Sequence, residues 1–418
     1  MRSLVLRPAT ALLLAALTVR AEGTGNPIAL GSPDFRPTPE RPFGWRGDGT
    51  GRFPGAVPPT EWSETKNVRW SATVGRSYSS PVVADPLVIV TAEPDLVVAV
   101  DRASGRERWK VRVTSADLQD PEERAAAAEY KPKDTGNAAA TPVVDGATVY
   151  VVFANGIVRA LGLDGASKWT AFIKAPQNTS YGRSASPLLA AGKLVVHLTN
   201  LVAFDPATGR PLWVNTESRC AYGTPAHLRS GGVDLIVTPA GDLVRADDGK
   251  TVNSQIGASS NTSPVVVDEV VYFGEKDVRA VRLGAEFKDQ SVWNGEIPNE
   301  VFGSPLLHGG LLLTATGGGS LYVFDAAKKG SVEPLIDARP LFGEDAGQNA
   351  AYASLTLAGK YVYLNSNAGD IVVLEATREA KVVARNKLKD GSGASPVFSG
   401  RDLFLRDGDR LFCIASAP

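Results

Sequence analysis

The polar side chains best placed to bind or react gather just ahead of short apolar strands: Tyr78, Asn137, Tyr181 with Arg183, Arg219 with Tyr222, Asn261, Asn299, and Asn349 with Tyr352. Such residues suit recognition, because Tyr and Arg join a broad contact surface to a hydrogen-bonding tip. Ordinary loop polarity is the simpler alternative. They do not form a catalytic set. The histidines His197, His227 and His308 are scattered, without metal-ligand spacing. Ser184 and Ser186 lie in no Gly-x-Ser-x-Gly elbow and have no sequence-linked base. Asp48 and the pair Asp247-Asp248 lack the spacing of a calcium loop. Glu300, beside Asn299, and Asp390 are the carboxylates that could face a central channel. The chemistry these types support is binding.

What must position them is a repeat. Strands open at Ser80-Pro81, Thr141-Pro142, Ser186-Pro187, Thr224-Pro225, Ser263-Pro264, Ser304-Pro305, Ser354-Leu355 and Ser395-Pro396. Successive openings are 61, 45, 38, 39, 41, 50 and 41 residues apart. Four short strands with tight turns need roughly 35–45 residues, so each unit is one four-stranded antiparallel blade and the long spacings are insertions. A strand repeat of this period marks a radial or stacked array. The fold class is therefore all-β, an eight-bladed propeller.

Inside the unit, Ala203-Phe204-Asp205-Pro206-Ala207-Thr208-Gly209-Arg210-Pro211-Leu212-Trp213 is the clearest copy. Asp caps turn amides, Gly supplies a positive φ, and the tryptophan starts the outer strand. Trp109, Trp169 and Trp213 fit that slot, as does Trp293 without the Asp-Gly turn; they are expected to pack between blades. The last unit, from Ser395 to Ile414, stops one strand short. Asn67–Val74, which carries Trp70, has the pattern of the missing outer strand, and its pairing there would close the ring and remove both edges.

Ahead of the propeller, assigned to residues 66–418, two segments differ. Arg2 and Arg7 precede an apolar run from Ala9 to Val19, and Val19-Arg20-Ala21 has the small residues of a cleavage site. Residues 1–21 read as a signal peptide, with a retained anchor as the alternative; the run is too short to span a bilayer. Export to the periplasm or outside follows, with no transmembrane segment in the mature chain. Residues 22–65 are rich in Pro and Gly and read as an extended leader packed on the propeller. Between the first two units, Asp117–Ala128 reads as a short helix, either a solvated decoration or a lid or partner contact. Cys220 and Cys413 lie about four units apart, across the ring, which favours separate thiols over a disulfide. A net charge of −1 gives no broad pull toward nucleic acid.

The repeated Ala-x-Asp-x-x-Ser/Thr-Gly-x-x-x-Trp unit resembles the tryptophan-docked repeat of pyrroloquinoline-quinone-type β-propellers, over residues 66 to 415. Trp45-Arg46-Gly47 and Pro59-Thr60-Glu61-Trp62-Ser63 look like the leader of exported propellers of this kind. The resemblance implies two kinds of function. One is a binding or scaffold protein, like the propeller subunit of the outer-membrane barrel-assembly machinery. The other is a quinoprotein dehydrogenase using pyrroloquinoline quinone with Ca²⁺. No adjacent cysteine pair and no Cys-x-x-Cys-His haem site occurs, which counts against the quinoprotein branch. No cofactor is therefore expected. The expected partner is a protein, or a small-molecule or sugar ligand, on one face of a monomer; a hydrolase, lyase or sugar-binding role stays open, since fold does not fix function.

Overall fold

A computed structural model describes residues 35–416 apart from 39, 176–178, 219–221 and 344–350. The signal segment, Arg219, Cys220 and Asn349 lie outside the described residues. Eight antiparallel sheets are present, as expected. Blade 1 comprises strands Val82–Ala84, Leu87–Ala92, Leu96–Asp101 and Glu107–Arg112, innermost to outermost. Blades 2 to 7 open at Val143, Leu188, Ala226, Val265, Leu306 and Thr356. Blade 8 takes its three inner strands from Val397–Ser399, Asp402–Asp407 and Arg410–Ile414, and its outer strand from Val68–Thr73. Val68 pairs with Ile414 and Trp70 with Cys413, antiparallel, so the two ends of the chain share a sheet. Cys413 is a free, buried thiol, and burial pushes it up to about 12. Among the described residues, no helix is long and apolar enough to cross a membrane.

The glycine of each turn serves the tryptophan of the preceding blade, not its own. Trp70 Nε1 donates to the Arg102 carbonyl (2.9 Å) and Trp109 to Leu163 (2.7 Å). Trp169 donates to Pro206 (2.9 Å) and Trp213 to Ala246 (2.9 Å). In each case the indole lies on a positive-φ glycine, where an added Cβ would meet the ring at 2.4–2.9 Å: Gly105, Gly165, Gly209 and Gly249. Asp101 and Asp205 cap the same turns, accepting from Ser104 N–H (2.9 Å) and Ala207 N–H (2.8 Å). Trp293 departs from the scheme. It is fully buried and stacks on Phe324 of blade 6, with its Nε1 unpaired, because no Asp-Gly turn offers it a carbonyl. Gly209→Ala is expected to lower stability by about 2 kcal/mol, combining left-handed backbone strain with displacement of Trp169. An unfolding midpoint equal to the parent's in chemical denaturation would contradict this docking.

The opening Ser or Thr builds a second inter-blade lock. Ser80 N–H donates to the Thr141 hydroxyl (2.9 Å), Thr141 to Ser186 (3.0 Å), Ser186 to Thr224 (2.9 Å) and Thr224 to Ser263 (2.8 Å). The circuit runs on through Ser304, Ser354 and Ser395 and closes when Ser395 N–H donates to Ser80 (3.1 Å). In seven of the eight blades proline in the next position holds the Ser or Thr extended, the geometry this circuit needs; blade 7 has Leu355 there. Every blade thus contributes one donor and one acceptor to a closed ring around the axis.

The leader crosses the face of the ring opposite the feeding loops. Its Phe43 carbonyl accepts from Val144 N–H of blade 2 (2.8 Å), and Arg52–Phe53 pairs in parallel with the opening strand of blade 7. Trp45 and Arg46 form the tip of a turn closed by Gly44 and Gly47. Arg46 is fully buried and donates to the Pro305 (3.0 Å) and Leu355 (2.8 Å) carbonyls of blades 6 and 7. Phe53 and Trp62 then enter the core beneath blades 7 and 8. The leader is more than a surface wrapping, because it bridges the two sides of the ring.

Candidate functional site

Alternate residues of an extended chain point the same way. The residues two positions before the ring hydroxyls therefore form a second ring, nearer the mouth. Those positions hold Tyr78, Ala139, Ser184, Tyr222, Asn261, Phe302, Tyr352 and Gly393 in blades 1 to 8, and all of them line one axial cavity. The eight hydroxyls form a deeper layer of the same cavity, which measures about 680 Å³ and opens on the loop face. That volume is typical of ligand sites, about 300–1,000 Å³. Trp45 lines this cavity and also a second one, of about 560 Å³, on the leader's face.

Aromatic rings cluster on two sides of the mouth. Tyr352 meets Phe302 edge-on at 5.2 Å and Tyr78 at 6.3 Å. Gly393 permits the second contact, since a Cβ there would press on both tyrosines at 3.2–3.4 Å. Tyr181 packs on Tyr222 at 6.1 Å, and its N–H donates to the Tyr222 hydroxyl (3.2 Å). Tyr78, Tyr181 and Tyr352 keep 42%, 59% and 38% of their surface exposed, which is unusual for aromatic side chains with no partner to cover them.

The wall is low where Ala139 and Ser184 stand, and the insertion fills that gap. Its helix runs Pro121–Glu129, shorter at the start than expected, because Asp120 acts as the cap and accepts from Glu122 N–H (2.7 Å) and Glu123 N–H (3.2 Å). The turn that follows is pinned by Thr135 N–H on the Tyr181 carbonyl (2.9 Å), and it places Asp134 and Thr135 in the cavity wall. Glu275 and Glu300 supply two further carboxylates. Glu275 accepts from Ser260 N–H, while Asp134 and Glu300 make no ion pair among the described residues. No Lys or Arg lines this cavity among the described residues. Burial, then Tyr78, Tyr181 and Asp134, push the Tyr352 phenol above its usual range.

The expected face is thus assembled in part. Tyr78, Tyr181, Tyr222, Asn261 and Tyr352 line the cavity. Asn299 is exposed outside it, beside Glu300, which is inside. Asn137 is buried behind the wall, donating to the Pro94 carbonyl (2.8 Å) and accepting from Asn155 N–H (2.9 Å). Arg183 is also buried, donates to the Ala154 carbonyl (3.0 Å) and stacks on Tyr130. Arg183, three before Ser186, falls at an odd offset from its ring hydroxyl, where the alternation turns it away from the axis, whereas Asn137, four before Thr141, is held in the wall by its bonds to Pro94 and Asn155. Asp390 lies off the cavity beside Gly408. Trp45, Phe302, Asp134 and Thr135 were not anticipated. Phe302 is legible from its offset, two before Ser304; the others come from the leader and the insertion, which obey no repeat.

None of the histidines lines this cavity. His197 is buried in blade 3; His227, on the opposite face, lies between Asp234 (2.8 Å) and Arg36 (3.0 Å). Among the described residues, no group of three His, Cys, Asp or Glu could hold a metal ion.

Fold and site together define an eight-bladed β-propeller whose blades are docked by tryptophans at four junctions, with an axial funnel. Residues 60–231 match the family model described as outer membrane protein assembly factor BamB. No curated protein matches the sequence. BamB from Moraxella catarrhalis is similar in structure, with a TM-score of 0.57 at 13% identity over 83% of this chain and 96% of that one. A quinohemoprotein alcohol dehydrogenase from Comamonas testosteroni gives 0.58 at 12% identity over 93% and 82%. The computationally designed Ika8 protein gives 0.58 at 11% identity over 84% and 99%. At such identities these likenesses establish the fold alone, and the site must carry the argument about function.

Proposed function

We propose that this chain is an exported propeller that captures a partner protein in its axial funnel and performs no chemistry of its own. One observation carries the reading: the funnel offers three widely exposed tyrosines in a concave mouth, yet among the described residues it pairs no nucleophile with a base. Ser184, the nearest approach to a nucleophile, donates instead to the Tyr222 carbonyl (3.0 Å). The match to the BamB family model and the likeness to BamB support a place in the cell envelope and a protein as partner.

The quinone reading fits the residues less well. Pyrroloquinoline quinone is a tricarboxylate, and the described wall presents three carboxylates and no Lys or Arg. Like charges gathered in a concave, low-dielectric site repel such a ligand. Adding the quinone with Ca²⁺ is expected to leave dye reduction at background, and a bound chromophore that reduces dye would replace the proposal with a dehydrogenase.

A photo-crosslinking residue tests the binding face directly. Placed at Tyr181 in envelope preparations, it is expected to trap one defined partner, whereas at Leu212 on the outer rim it traps none. Tyr181→Ala with Tyr222→Ala is expected to weaken capture by about tenfold or more, in the range of an aromatic hot spot. The same partner trapped equally from both positions would mean that the funnel is not the contact.

A further inference from the structure

The funnel's charge and ring faces specify its occupant further than the binding proposal does. Resting on that proposal, we infer that the funnel takes a basic, extended segment of the partner, inserting lysine or arginine side chains among the tyrosines. Asp134 and Glu300 stand on different sides of the mouth, with Glu275 between two of the blades that bear rings, and among the described residues no Lys or Arg lines the cavity to neutralise them. Asp134 is brought there by a 24-residue detour of the chain, from Thr114 to Asn137, rather than by the repeat. Carboxylates inside a concavity focus the field on an approaching cation. Tyrosine faces attract the same cations through their quadrupole, most strongly where water is partly excluded.

A second observation comes from the deeper layer. The ring hydroxyls belong to residues only 1–6% exposed, yet they line the cavity. Each oxygen accepts one backbone N–H and donates to no described residue. A hydroxyl has two lone pairs and one proton, so each retains one acceptor site and one donor. The retained lone pairs are ready partners for ammonium or guanidinium N–H groups below the aromatic mouth. Arg46, the guanidinium of the leader tip, does not occupy that role, since the Pro305 and Leu355 carbonyls already hold it.

The test titrates the full mature chain with tetralysine, tetraserine and tetraglutamate peptides and a neutral tetrasaccharide, following Trp fluorescence and calorimetry. Tetralysine is expected to bind at least about tenfold more tightly than tetraserine and to weaken as salt rises past a Debye length of about 10 Å. Asp134→Asn with Glu300→Gln is expected to remove that tenfold preference without changing the thermal transition, because neither side chain forms an ion pair with a described residue. Equal affinity for the lysine and serine peptides overturns the inference, as does tighter binding of tetraglutamate or the saccharide, or a preference that survives the double variant. The binding proposal is judged separately: if partner crosslinking at Tyr181 persists while tetralysine fails, the funnel remains a binding site with a different ligand chemistry. If that crosslinking is also absent, both readings fall.

Discussion

A chain that begins at Gly75 is expected to lose its cooperative unfolding transition altogether. It would lack Val68–Thr73, leaving Arg410–Ile414 as an open edge, and it would lack Trp70, whose indole spans to the Arg102 carbonyl of blade 1. Removing one large buried aromatic costs about 3–5 kcal/mol. Unpairing a whole strand and losing the leader's Arg46, Phe53 and Trp62 add to that, against a net stability of about 5–15 kcal/mol for a typical domain. Each blade buries its faces only on its neighbours, so an open ring cannot localise the damage.

A rearranged chain separates closure from the other losses. The Ala415 N–H donates to the Asn67 carbonyl (2.8 Å), so the two ends are already adjacent and antiparallel. Adding an Asn-Gly turn and residues 67–74 after Ala415, in a chain starting at Gly75, restores the strand without the leader. Circular dichroism and near-ultraviolet melting are expected to recover a single transition, at a midpoint below the parent's because the leader is gone. Two results would defeat the closure argument: a sharp parent-like transition in the simple truncation, or no recovery in the rearranged chain.

The ring count and the closing strand were readable because a propeller writes its architecture locally. Ser or Thr followed by Pro, a Gly turn and a Trp recur along the chain, and they answer to repeated contacts, the hydroxyl circuit at every blade junction and the Gly–Trp docking at four of them. The reason for each demand was hidden. Gly209 and Trp213 look like partners within one repeat, yet Gly209 receives Trp169 from the blade before, and Trp213 goes on to Gly249. Likewise the opening hydroxyls reveal their purpose only when Ser395 meets Ser80 across the closure.

The site was less legible for two physical reasons. Period-two alternation next to each ring hydroxyl sends Tyr352 into the funnel and Arg183 into the wall, while farther out local bonds decide, as where Pro94 and Asn155 hold Asn137 in the wall. Non-repeating segments then complete the cavity. Trp45 arrives from the leader and Asp134 from the insertion, each brought by contacts far along the chain that no local pattern announces.

Acidification should weaken the fold through His197, well away from the funnel. Its ring is fully buried in blade 3, with Nε2 3.5 Å from the Ser218 carbonyl and Nδ1 unpaired. Burial therefore opposes the charged imidazolium and lowers its pKa from 6.5 to about 4. The unfolded chain takes up this proton first, so stability is intact above about pH 6.5 and falls as pH drops toward 4. The slope approaches about 1.4 kcal/mol per pH unit, which amounts to about 2–3 kcal/mol between pH 7 and 4.5. His227 and His308 are also lowered by burial and steepen the same limb. The carboxylates of Asp101 and Asp248, held at about 2 by hydrogen bonds from Ser104 and from Arg245, act in a separate window below pH 4. His197→Phe isolates the term, because the cost of the larger ring is present at both pH values and cancels in the difference. Urea denaturation of parent and variant at pH 7 and 4.5 is expected to show the parent losing about 2–3 kcal/mol more than the variant. Equal losses in the two proteins would mean that His197 is hydrated or charged in the folded state, and that the seam where blade 3 meets Ser218 is open to water.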